Sequence, residues 1–256
     1  MLQALPSYIA SVILENQQLL PNNPQNAALI QAKITMLQDP NLASEITTGR
    51  RWAESTVSRI PIAALFPLEI MRSEADLAVR TLEPVLPLLE EFFAVQFPAQ
   101  NIRVWYGFKI GNSGGGGQIF SEDRTTYESR TSASRLPFDA ILSHELGHSY
   151  IGNESLTQFL ELYTYNVVRT GSRNVSAWIF VRNWTPGLAT NDGIHALLDI
   201  YQAIGFDEMS RGYRAIYPLR PPYGSPLSAE VIQAFANQVS AAQRAFVLAK
   251  LARIPA

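Results

Sequence analysis

Two of this chain's three histidines stand four residues apart, in the run His144-Glu145-Leu146-Gly147-His148, and the flanking residues Ile141, Leu142, Ser143, Ser149 and Tyr150 are all uncharged. Four residues on an α-helix return nearly to the same face, so a helix through this run brings both imidazoles to one point with Glu145 one step round. Such a pair can hold one zinc ion while the glutamate takes a proton from a water that the metal activates. The bland alternative is two polar residues on a partly buried helix, satisfied by carbonyls or carboxylates. The chain has no cysteine, so thiolate ligands, disulfide staples and cysteine nucleophiles are excluded together. Any metal must be held by His, Glu or Asp.

A catalytic zinc site needs a third protein ligand and an open position. Glu154 is the candidate. It lies six residues past His148, which on one continuous helix would face away from the metal, so the helix has to break between them. Gly152-Asn153 supplies the break, with Gly suited to a left-handed helix end and Asn to capping the next helix. Glu161, two turns further on, is the alternative ligand.

The rest of the chain bounds the function classes. Its 256 residues, 47% of them apolar, suffice for a sizeable core. A net charge of -2 offers no basic field for nucleic acid or anionic lipid. No stretch reaches the roughly 18 unbroken apolar residues of a membrane span, so a soluble chain is expected. Met1 to Leu20 lacks a positive start and carries Glu15, Asn16, Gln17 and Gln18 where a secretory signal is apolar. A mature chain whose signal had been removed would read the same, so the compartment stays open.

Helical spacing of apolar residues runs from Leu2 to about Ile70, interrupted by Pro-Asn turns near Pro21 to Pro24 and at Pro40-Asn41. A further helix is expected to open at Ser73 with Asp76 three residues on, and to be kinked or divided by Pro84 and Pro87. Asn101 to Ile110 alternates as a strand with one buried face, and Gln118 to Phe120 reads as a short edge strand beyond the break at Gly114 to Gly117. Helices are then expected over Asp139 to about Ile151, Glu154 to about Arg169, Gly193 to Ala203, Asp207 to Ile216 and Ser228 to Arg253.

His144 through Asn153, HELGHSYIGN, resembles the zinc helix of the aminopeptidase N and leukotriene hydrolase family, and Asn153-Glu154-Ser155-Leu156-Thr157 resembles that family's Asn-Glu-Gly-Phe-Ala/Thr segment. Gly114 to Gly117 is similarly placed to its Gly-rich loop. Asn191-Asp192-Gly193 followed by HALLDIYQAIGFDEMSRGYRAIY is similar to the helical segment after its catalytic tyrosine. The resemblance covers about Leu82 to Tyr217. It implies a gluzincin peptidase of minimal type, with one zinc per chain on His144, His148 and Glu154, Glu145 as general base, and Gly115, Gly116 and Gly117 lying along a peptide or protein substrate.

Three differences accompany it. The interval to the third ligand is much shorter than in aminopeptidase N, so a tight turn joins the two metal helices. The glutamate that binds a substrate's free amine has no counterpart, Gly117 or Gln118 standing near its place and Glu122 being displaced from it. The family's tyrosine falls at about Thr190. Another donor to the developing oxyanion is then needed; Tyr213 and Tyr217 are ranked first, ahead of Tyr223 and His195. A metzincin reading, in which the third ligand also follows the second His by six residues, selects the same three ligands.

The sequence therefore predicts an α+β, mainly helical fold: a helical N-terminal region over 1–72, and a zinc-peptidase-like domain over 73–256 whose small sheet edge lies above the zinc helix. A catalytically silent zinc protein that captures peptides is the alternative.

Overall fold

A computed structural model describes residues 5–48, 52–54, 60–64, 68–97, 101–107, 111–122, 127, 138–175 and 189–255. The fold is α+β and mainly helical. Its helices are α1 (Leu5–Leu19), α2 (Ala27–Leu37), α3 (Leu42–Thr47), α4 (Leu68–Phe93), α5 (Phe138–Gly147), α6 (Glu154–Thr170), α7 (Ala189–Ile216), α8 (Ala229–Ala236) and α9 (Ala241–Leu251). Its strands are β1 (Trp52–Glu54), β2 (Pro61–Ala64), β3 (Arg103–Tyr106), β4 (Ser113–Gly115) and β5 (Gln118–Ser121), in sheet order β1-β2-β3-β5-β4. β1 and β2 are antiparallel, whereas β2-β3 and β3-β5 are parallel. No described helix is long and apolar enough to cross a membrane.

Two compact units interleave along the chain. The first comprises Met1–Thr81, Pro98–Ser113 and Gly117–Ser132; the second comprises Leu82–Phe97, Gly114–Gly116 and Ala133–Ala256.

The sheet, whose strands β1, β2, β3 and β5 lie in the first unit, departs from expectation in three ways. β1 and β2 fall inside the stretch read as wholly helical, because strands of three and four residues carry too few alternations to stand out against helical spacing. β5 is an inner strand, and the Gly-rich β4 is the edge. β3 is buried on both faces: Val104 and Tyr106 point one way, while Trp105 on the other packs with Ile9, Val12, Leu37, Leu42 and Ile46 of the N-terminal helices. An alternating pattern fails to announce this because tryptophan serves either face. Here its ring stacks on Phe120 at 5.7 Å and its indole donates to Gln118 Oε1 at 2.8 Å. The last residues of the expected strand, 108–110, lie outside the described residues.

The second unit is built around aromatic rings. Phe92 at the end of α4 meets Tyr213 of α7 edge-on at 4.9 Å, and Phe93 stacks on Tyr150 at 4.7 Å. Phe159 of α6 and Phe235 of α8 join the same cluster. The open carbonyls at the end of α4 are capped from α7: Ser210 Oγ donates to Phe92 O at 2.7 Å and Arg214 Nη2 to Glu91 O at 2.7 Å. α7 presses closely on α6, since a Cβ on Gly193 would lie 2.2 Å from Ser155 Oγ.

α4 begins at Leu68, ahead of the expected start at Ser73, whose side chain lies outside the described residues. It runs undivided through Pro84 and Pro87. Both prolines are exposed, as are Arg80 and Glu83, whose carbonyls lose their partners, so solvent can satisfy those groups. The expected helix over Ser228 to Arg253 is two helices. Between them Val239 turns inward, Ser240 N donates to Glu208 Oε1 at 3.3 Å, and Arg244 Nε donates back to Ala236 O at 3.2 Å.

Candidate metal centre

α5 carries the His-Glu-x-x-His run. It ends at Gly147, earlier than the expected Ile151, but His148 N still donates to His144 O at 3.2 Å, so His148 keeps the helical position that aligns it with His144. Gly147 itself is required, because Thr157 Cγ2 of α6 lies 2.9 Å from where its Cβ would stand. A turn through Ser149 and Tyr150 then leads into the short link Ile151-Gly152-Asn153.

Asn153 is the N-cap of α6: its extended backbone (φ -65°, ψ 128°) turns the side chain to accept from Leu156 N at 3.2 Å. Glu154 is thereby the first residue of α6 and faces back to α5. Gly152 does not adopt the left-handed conformation expected of it. Its missing side chain serves close approach instead, because a Cβ there would lie 2.7 Å from Pro221 O and 3.0 Å from Tyr223 N. Gly152 N donates to Pro221 O at 3.2 Å and Asn153 Nδ2 to Ser225 O at 3.1 Å, so the 221–225 loop is tied to the link on both sides.

Three groups converge here. His144 Nε2 lies 2.9 Å from His148 Nε2 and 3.2 Å from Glu154 Oε2, and His148 Nε2 lies 3.4 Å from Glu154 Oε1. A four-coordinate ion holding its ligands at about 2.0–2.1 Å spaces them about 3.3 Å apart, so the three groups fit around one such ion.

The other ring nitrogens decide what the converging atoms offer. His144 Nδ1 donates to Glu161 Oε2 at 2.9 Å. His148 Nδ1 donates to Ile151 O at 3.3 Å, with Thr157 Oγ1 also at 3.3 Å. A carbonyl only accepts, which puts the proton of a neutral His148 on Nδ1, and the Glu161 carboxylate favours the same tautomer in His144. Two Nε2 lone pairs and a carboxylate then face one another, an arrangement that repels unless a cation or a proton lies among them.

In the metal-free protein that proton belongs to His144. Burial disfavours its charge, but hydrogen bonds to Glu154 and Glu161 outweigh burial and hold it up to about 10. Burial acts against the charge of Glu154 too, yet both imidazoles bring its carboxyl down to about 2. Burial pushes Glu161 up. Glu145 is raised to about 7, mainly by burial against the opposing pull of His144 and His148, and its Oε2 has no hydrogen-bond partner among the described residues.

The edge strand β4 abuts this helix. A Cβ on Gly114 would stand 2.0 Å from Glu145 O, so only glycine lets the strand cross the helix at the glutamate. Gly116 and Gly117, with φ of 55° and 83°, form the two-residue turn into β5.

The tyrosines do not follow the sequence ranking. Tyr213 is fully buried and its hydroxyl donates to Leu156 O at 3.0 Å, so it serves the aromatic core and is corrected as an oxyanion donor. Tyr217 packs on Phe93 at 5.5 Å with the Arg220 guanidinium 5.0 Å from its ring. His195 lies half-buried on α7. Thr190 is in the first turn of α7, its side chain outside the described residues. Tyr223, ranked below the first two, is the one whose ring meets the cluster, 6.1 Å from that of His148. Glu122, the displaced amine-binding candidate, is buried in the first unit and accepts from Gly111 N at 3.1 Å.

The part of Glu161 has a sequence signal in the spacing 154, 157, 161. Glu154, Thr157 and Glu161 recur at helical intervals and so share one side of α6, the side turned to α5. The chain matches no protein-family model and no curated protein.

Proposed function

We propose that the chain is a zinc-dependent peptidase of gluzincin type, hydrolysing peptide bonds with Glu145 as general base. The observation that carries this reading is the convergence of His144 Nε2, His148 Nε2 and the Glu154 carboxylate beside the buried Glu145, whose Oε2 has no hydrogen-bond partner among the described residues. A purely structural metal site has no use for such a base. Zinc, when bound, polarises the scissile carbonyl and acidifies water.

The chain's own residues supply the rest. Glu145 takes the proton from the attacking water and passes it to the leaving amine. Glu161 and the Ile151 carbonyl hold the two imidazoles in the liganding tautomer. β4, the edge strand of the sheet, is pressed on α5 at Glu145 and offers main-chain groups on which an extended peptide can add as a strand.

One observation favours a catalytically silent zinc protein that captures peptides: Tyr213 is committed to the core. The test is metal content by mass spectrometry together with turnover of a quenched random peptide library, with and without chelator. One zinc per chain with chelator-sensitive turnover is the expected result. Zinc with no turnover of any peptide supports the silent protein, and a chain that takes up no zinc overturns both readings.

A further inference from the structure

We propose that Tyr223 is a specificity-determining residue, an aromatic wall beside the metal centre that receives a large apolar or aromatic side chain of the substrate next to the bond being cleaved. This rests on the peptidase reading above.

The first ground is the contrast between the ring and its backbone. Tyr223 is 71% exposed, whereas Tyr106, Tyr150, Tyr163 and Tyr213 are all but fully buried. Exposure of an aromatic side chain usually goes with a loose segment, but this one is held. Pro221 and Pro222 fix φ before it and Gly224 takes a positive φ of 65° after it. Hydrogen bonds from Gly152 N to Pro221 O and from Asn153 Nδ2 to Ser225 O tie the loop on either side of it. The absence of a side chain at Gly152 admits the backbone from Pro221 to Tyr223, since a Cβ there would lie 2.7 Å from Pro221 O and 3.0 Å from Tyr223 N. The sequence thus fixes the backbone under this ring while leaving the ring uncovered.

The second ground is position. The Tyr223 ring lies 6.1 Å from the His148 ring at an interplanar angle of 64°. His148 Nε2 is one of the three converging ligand atoms, so a carbonyl brought to the metal carries its neighbouring side chain past this ring. The ring's hydroxyl has no hydrogen-bond partner among the described residues, so the face is not locked by a polar contact. An aromatic face gains dispersion and edge-to-face contact with apolar and aromatic groups, and its negative quadrupole disfavours a carboxylate.

The test compares the zinc-loaded full chain with its Tyr223→Phe and Tyr223→Ala variants, after thermal melting has checked that all three are folded. Turnover is measured on peptides carrying Phe or Ala beside the cleaved bond. A readout independent of catalysis uses the cobalt-substituted protein, whose visible absorption reports binding of a benzyl-bearing hydroxamate against acetohydroxamate. The expected result is a preference for Phe and for the benzyl probe of about tenfold or more that Tyr223→Ala abolishes and Tyr223→Phe keeps. An unchanged preference in Tyr223→Ala overturns the proposal. Equal loss in both variants overturns it too, because the hydroxyl rather than the ring would then be what acts. If no peptide is turned over but the benzyl preference depends on Tyr223, the peptidase reading fails while the wall stands.

Discussion

The imidazole of His144 is held between two glutamates of one helix, its Nε2 3.2 Å from Glu154 and its Nδ1 2.9 Å from Glu161. These are seven residues apart on α6, so the same face delivers a ligand to one side of the ring and its orienting acceptor to the other. Glu161 was the alternative ligand on sequence grounds. In the structure it lies behind the histidine.

Glu161→Gln keeps the volume and loses the charge that fixes the His144 tautomer. It should weaken zinc binding by about 10- to 100-fold, less than His148→Ala or Glu154→Ala, each of which removes a proposed ligand. Chelator competition gives the order. Wild-type affinity in Glu161→Gln would show that the Nδ1 contact does not serve the metal.

Glu145→Gln should leave zinc content unchanged and reduce peptide turnover by about 10²- to 10⁴-fold, the range for a lost general base. Paired metal analysis and kinetics on one preparation check this. Equal turnover would remove Glu145 from the reaction.

Stability should depend on alkaline pH without metal and lose that dependence with it. In the metal-free protein His144 is raised from 6.5 to about 10, so the stability its charge contributes is complete below 6.5 and is lost as pH rises through about 10. Glu154, lowered from 4.5 to about 2, contributes stability that is present above 4.5 and lost as pH falls through about 2. The chelated protein should therefore melt progressively lower as pH climbs from about 7 to about 10, while the zinc-loaded protein, with the cation in place of the proton, should not. Zinc uptake near neutrality should release protons, which calorimetry in buffers of differing ionisation enthalpy detects. A flat melting profile for the chelated protein would contradict the assignment.

Asn153→Asp keeps the cap on α6 but loses the donor to Ser225, whereas Asn153→Ala loses both. The alanine variant should cost about 1–2 kcal/mol through the cap alone, and more in zinc affinity than the aspartate, because Glu154 starts from that cap. Denaturant melts and chelator titration of the two variants separate the contributions.

Gly114→Ala places a methyl group 2.0 Å from the Glu145 carbonyl. Relieving that clash moves either β4 or α5, and overpacking of this kind costs about 1–3 kcal/mol. Turnover should fall while Gly111→Ala, with open space around its Cβ but a φ of 87°, loses stability only. Full activity in Gly114→Ala would detach β4 from the site.

The spacing of His144 and His148 determined by itself that their imidazoles converge, because a helix admits one answer for residues four apart. Asn153 followed by Glu154 likewise placed the break and the start of α6, since capping is chemistry local to a few residues. The short strands β1 and β2, the inner position of β5 and the double burial of β3 were decided only by tertiary structure. A strand's partners and the layers on its two faces come from distant segments, and three or four residues hold no record of them. The same holds for the tyrosines. Tyr213 and Tyr223 look alike as residues, but one hydroxyl finds the Leu156 carbonyl inside an aromatic core and the other ring is set beside His148 by a loop that fastens to Gly152 and Asn153. Which role each takes depends on contacts 57 to 75 residues away in sequence, and such contacts are fixed by packing rather than by any local pattern.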